Sequence, residues 1–184
     1  MIIRNTILLI AVLSTSYSSA QEETKLESNE IRGKSKVEEY YSTTGILLEK
    51  QFHQIGNVKG VEVQMLQVID LGAKTEMRAL RFEMSISTQY SSDTKVAVID
   101  KDEVEGLVRA LELIQVSVIP TTRNAYTEVS YTSRSGFQVG CYFDAKKVQW
   151  KAFVQVDKYS SRSHVFMNNE DLGQLTEFIK QAHL

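Results

Sequence analysis

The sequence predicts an α+β protein of two β-β-β-β-α repeats related by a pseudo-twofold, each an antiparallel sheet carrying one C-terminal helix. Three observations predict it. Segments rich in β-branched and aromatic residues alternate apolar with polar side chains, as strands with one buried face do. Two later stretches switch to helical spacing. And "YSSDTKVAVIDKDEVEGL" (90–107) is echoed by "YSSRSHVFMNNEDLGQL" (159–175), a serine-rich loop, a short strand and an acidic helix start in the same order.

The chain begins with "MIIRNTILLIAVLSTSYSSA", in which Arg4 precedes an apolar run from Ile7 to Leu13 and small residues stand at Ser18 and Ala20. This is the pattern of a cleavable signal peptide, with cleavage expected after Ala20, and it predicts a secreted or periplasmic protein. The apolar run is too short for the roughly 20 residues of a spanning helix. Residues 21–36, "QEETKLESNEIRGKSK", mix acids and bases with little apolar surface and read as a flexible charged linker.

The first repeat is expected over 37–119, with strands at 45–52, 60–71, 76–86 and 95–99. In the third, Leu80, Phe82, Met84 and Ile86 fall on one face and Arg81, Glu83, Ser85 and Ser87 on the other. Val104, Leu107, Val108, Leu111 and Ile114 then recur at helical spacing. Asp100 stands three residues before Glu103, which predicts a capping box opening a helix over 101–114. Pro120 marks the joint.

The second repeat, 120–184, is expected to place strands at 125–132, 136–145, 148–156 and 164–167. Its helix puts Leu172, Leu175 and Ile179 on one stripe, with Asn168 and Asp171 as the capping pair. The helix starts superpose at a separation of 68 and the loops at 69, so a bulge or a longer strand in the first half must absorb one residue. Two units in tandem point to duplication rather than to a solenoid, whose repeats are shorter and more numerous.

This order of elements resembles that of the Whirly, PUR and related single-stranded DNA-binding folds, over about residues 45–182. The resemblance rests on topology and on the "VIDKDEVEGLVRAL" and "FMNNEDLGQLTEFI" helix starts. A Lys-Gly-Lys motif of the Whirly kind is missing, "VKGVEV" at 58–63 standing nearest, so no site residue transfers from that group.

Charge argues against nucleic acid. Lys and Arg number 21 against 23 Asp and Glu, a net charge of −2, and loss of the leader with Arg4 makes it one unit more negative. The one cysteine, Cys141, has no internal partner and shares a strand face with Phe137, Val139 and Phe143, which predicts a core thiol. His53, His164 and His183 are scattered, and no nucleophile elbow, phosphate-cradling loop or paired-cysteine motif occurs. The acidic run Asp100, Asp102, Glu103 and Glu105 lacks the calcium-loop pattern and reads as helix-start chemistry. No catalytic residue, metal or cofactor is expected.

What remains is a non-enzymatic binding module for a protein or small-molecule ligand, with nucleic acid disfavoured, no membrane insertion after cleavage, and room for a homo-oligomer. A single-stranded nucleic-acid-binding protein and an envelope enzyme without a recognisable motif are the alternatives. The expected ligand surface is Tyr142, Lys151 and Phe153 on the second sheet's exposed face, with Trp150 turned to the core beside Val154 and Val156. The loops Tyr90, Ser91, Ser92 and Tyr159, Ser160, Ser161 form a second expected contact surface.

Overall fold

A computed structural model describes residues 33–87, 89 and 91–184. The leader, most of the linker and Tyr90 lie outside the described residues. The elements run α1 (Lys36–Tyr41), β1 (Leu48–Val58), β2 (Val61–Asp70), β3 (Thr75–Ser87), β4 (Ser92–Asp100), α2 (Lys101–Leu113), β5 (Thr127–Thr132), β6 (Gln138–Asp144), β7 (Gln149–Gln155), β8 (His164–Met167) and α3 (Asn169–Gln181). Two four-stranded antiparallel meanders, β1-β2-β3-β4 and β5-β6-β7-β8, are each followed by one helix, so the β4α unit is written twice. Among the described residues no helix is long and apolar enough to cross a membrane.

Alternation decides which strand face is buried. Val61, Val63, Leu80, Phe82, Ala97 and Ile99 face inward from the first sheet, and Phe137, Val139, Cys141, Ala152 and Val154 from the second. Leu107 and Leu111 of α2, Ile114 just after it, and Leu172, Leu175 and Ile179 of α3 complete one continuous core. Each such side chain contributes about 1.5–3 kcal/mol when taken out of water. The helices do not lie only on their own sheets: α2 touches β3 and β4 but also β5 and β6, and α3 touches β8 but also β1. Neither sheet alone buries both flanks of its helix, so the halves stabilise each other.

Gly56 admits α3. A Cβ there would sit 2.3 Å from the Phe178 ring, and the β1–β2 register shifts at this point, leaving Ile55 as the extra residue of a bulge. The hairpin just beyond turns through Lys59 and Gly60, both at positive φ, the two-residue geometry that favours glycine.

Several sequence expectations are corrected. β1 extends to Val58 rather than ending near 52, because this edge strand is solvated on both sides and carries little alternation to read. The one-residue slack falls where a longer strand in the first half was expected: β4 pairs continuously from Ser92 to Asp100, whereas in the second half Ser161–Ser163 form a 3-10 turn and β8 spans four residues. After α2 the chain continues through a π-helical turn, Ile114–Val118.

The largest correction is at the N-terminus. Residues 35 and 36, assigned to the linker, open α1, where Ser35 is fully buried and forms a capping box with Glu38. Asp100 does not cap α2; its side chain makes no such bond there. Instead its Oδ2 accepts from the Lys36 N–H at 2.8 Å and its Oδ1 from the Val37 N–H at 3.1 Å, satisfying orphan donors of α1. Asn168 and Asp171 do form the expected reciprocal box on α3.

Candidate functional site

The outer face of the second sheet collects aromatic side chains from β6, β7 and β8 and from the segment before β5. Phe153 projects outward from β7 and lies across Gly140 of β6, where a Cβ would come within 2.9 Å of its ring. His164, at the start of β8, stacks on Phe153 at 4.6 Å, and Phe166 meets His164 edge-on at 4.9 Å. Tyr142 of β6 follows at 6.3 Å from Phe166, and Tyr126 at 6.1 Å from Tyr142. These are the offset and edge-on separations aromatic rings prefer. The row is open to solvent at Phe166, 54% exposed, and Tyr126, 63% exposed.

Polar groups frame the row. Lys151 sits opposite Tyr142 in the ladder, its Nζ 5.7 Å from the ring centroid and 3.5 Å from Oδ2 of Asp144. The Tyr126 hydroxyl donates to Oε1 of Glu128, and that bond to an acceptor holds the phenol's proton more tightly than usual. Burial keeps the His164 pKa below its ordinary value, so the imidazole is neutral at neutral pH and stacks without charge.

A cavity of about 490 Å³ opens at one end of this face. It exists because β8 ends at Met167, opposite Ala152: Gln149, Trp150 and Lys151 of β7 pair with β6 on one side and have no strand beside them on the other. Trp150, Lys151, Phe166, Met167 and Asn168 are among its walls. Trp150 packs against the core from its edge, on the side the sequence predicts. It is half-buried, packs edge-on against Phe143 at 5.4 Å, donates its indole N–H to the Thr121 carbonyl at 2.7 Å, and presents itself to the cavity.

The expected trio Tyr142, Lys151 and Phe153 does share this outer face. Tyr126, His164 and Phe166 were missed. The alternation of "HVFM" places His164 and Phe166 outward, so the signal was there for two of them; Tyr126 lies before β5, where period-2 reading stops.

The serine loops turn out differently from one another. Ser91 and Ser92 are exposed, Ser92 pairing with Ser87 at the start of β4. Tyr159 is exposed, whereas the Ser160 carbonyl accepts from Ser163 Oγ at 2.8 Å and Ser161 begins the 3-10 turn that touches β3. Lys95 Nζ lies 3.8 Å from the Asp157 carboxylate, so the second loop is also tied to the first repeat through charge.

The acidic run is engaged inside the protein. Arg134 Nη2 reaches Asp100 at 2.9 Å and Asp102 at 2.5 Å, its Nε lies 3.2 Å from Glu103, and Lys36 Nζ reaches Asp102 at 2.8 Å. Hydrogen bonds from Arg134 first, then Lys36, hold the Asp102 carboxyl well below the usual carboxylate range. Glu105 pairs with Arg109 one turn on. Cys141 is fully buried, and burial pushes its thiol up to about 11, leaving no thiolate for nucleophilic use.

No family model matches the chain, and neither a curated protein nor a solved structure does.

Proposed function

We propose that this protein is an exported, non-enzymatic binding module whose ligand surface is the outer face of the second sheet. One observation carries the reading. On the outer face of the first sheet α1 covers Leu66, Val68, Ala79 and Val98, while on the same face of the second sheet Tyr126 and Phe166 are exposed and Tyr142, Phe153 and His164 half-buried. Exposed rings in a row cost solvation unless a ligand covers them, and they offer flat, apolar contact with polar groups at the margin.

The test is a thermal-shift screen of the mature chain against peptides, glycans and oligonucleotides, repeated on Phe166→Ala and Tyr142→Ala. A ligand of the native state raises the melting temperature, and the rise should shrink in both variants. A ligand whose effect is untouched by either substitution places binding elsewhere and removes this reading.

The aromatic row also favours a second reading, single-stranded nucleic acid stacking its bases on the sheet. Against it, Glu128 and Asp144 share the face with Lys151, giving phosphates little to pair with. Phosphate-driven binding falls steeply with salt, so an oligonucleotide that binds at low salt and dissociates as salt rises supports this alternative.

A further inference from the structure

The duplication sets up an internal comparison. Counting along the ladders from Asp100 and Asn168, Val98 corresponds to Phe166, Ala79 to Lys151, Leu66 to Tyr142, Val68 to Asp144, and Lys50 to Tyr126. In the first half these positions form the seat of α1. Val37 is buried among Leu66, Val68, Ala79 and Val98, and the helix crosses the sheet until Tyr40 reaches Asp70 and Lys50 lies 3.7 Å over the Tyr41 ring. In the second half the corresponding track, from Phe166 and Lys151 through Tyr142 to Tyr126, is the aromatic row, which no helix of the described residues crosses as α1 crosses the first.

The notches at the ends of the two tracks correspond as well. Where β4 stops short of β3, a cavity of about 350 Å³ is lined by Met77, Arg78 and Asp100, and the first residues of α1 stand in it as Lys36 and Val37. Where β8 stops short of β7, the counterparts Gln149, Trp150 and Asn168 line the larger cavity of about 490 Å³, to which Ile119 is the one lining residue contributed from outside β7, β8 and the start of α3.

We propose that this second seat, from the notch beside Trp150 along Phe166, Tyr142 and Tyr126, docks a short helical segment of a partner protein, as the first seat docks α1. The proposal rests on the outer face of the second sheet being the binding surface. The chemistry of the segment follows from the substitutions between seats. An apolar anchor side chain enters between Phe166 and Tyr142, where Val37 stands between Val98 and Leu66. Its backbone is not capped by Asn168, because that amide is engaged with Asp171 at 2.8 Å, whereas Asp100 is free of α2 and caps α1. The Lys151–Asp144 ion pair replaces Ala79 and Val68, so a polar side chain next to the anchor that meets this pair suits this seat and has no counterpart in the first.

Trp150 is the only tryptophan and lines the notch, so its fluorescence reports on occupancy. The probe is a synthetic peptide of residues 35–43, SKVEEYYST, with its anchor varied as Val37→Leu, Val37→Phe and Val37→Asp. The Leu and Phe peptides should shift Trp150 emission saturably and the Asp peptide should not. Phe166→Ala in the protein should weaken the binding about tenfold. Phe166 is exposed, so its removal leaves the core intact. Binding insensitive to Phe166→Ala means that the peptide has displaced α1 from the first seat, and overturns the proposal. Self-association of the protein alone that Phe166→Ala abolishes assigns the seat to a second copy, and overturns it too. If all peptides fail while a glycan or oligonucleotide still raises the melting temperature in a Tyr142-dependent way, helix docking falls and the binding module stands. If nothing engages the face, both fall.

Discussion

Phe82 of β3 and Phe137, which leads into β6, stack ring on ring with centroids 4.1 Å apart and 13° between planes. Both are fully buried, and they join the two sheets at the centre of the shared core. Phe82→Ala or Phe137→Ala should each cost about 3–5 kcal/mol in urea unfolding. The double variant should cost less than the sum, because the stack is lost once. Additive losses would mean that the rings support separate halves.

Gly56 and Phe178 make the reciprocal joint between β1 and α3. Gly56→Ala should destabilise by about 1–3 kcal/mol through overpacking, since the added methyl meets an aromatic ring with little freedom to move. Adding Phe178→Leu should recover part of that loss. A neutral Gly56→Ala would show that the ring is not confined as described.

Asp102 predicts the acid limb of stability. Its folded-state pKa is depressed below the ordinary 3.8, so the folded state binds fewer protons than the unfolded one at low pH. The associated stability is fully present above 3.8 and is lost as the pH falls through that value and below. Asp102→Asn should melt earlier than wild type at pH 6, and the gap should close in melts carried down to pH 2. A gap constant with pH would remove Asp102 from the acid response.

Cys141 should be inert in the native protein. Burial raises its thiol to about 11, so at pH 8 a disulfide exchange reagent should label it only after unfolding, and at once in strong denaturant. Rapid native labelling would contradict the packing of β6.

The elements were legible where one face of a segment is dry and the other wet. β2, β3, β6 and β7 could be read from alternation, and Leu107, Leu111, Leu172, Leu175 and Ile179 from helical spacing. α1 was not, because Val37 is the one large apolar side chain it buries in a segment otherwise read as charged, and its stability comes from a carboxylate sixty-odd positions away, Asp100. The same distant bond explains why the Asp100–Glu103 spacing suggested a capping box that does not form.

Of the candidate surface, Tyr142, Lys151 and Phe153 followed from alternation, whereas the continuity of the row with Phe166, His164 and Tyr126 depends on how β8 pairs with β7 and on where β5 begins. By itself, then, the sequence determined the strand and helix periods, the inward and outward faces, and the repetition of the β4α unit, because these depend on side-chain order within a few residues. Tertiary structure decided that α2 and α3 bridge the two sheets, that Asp100 caps α1, and that α1 packs on the outer face of the first sheet. Those outcomes depend on contacts between distant segments, whose energies are comparable for many pairings until strand register has excluded all but one.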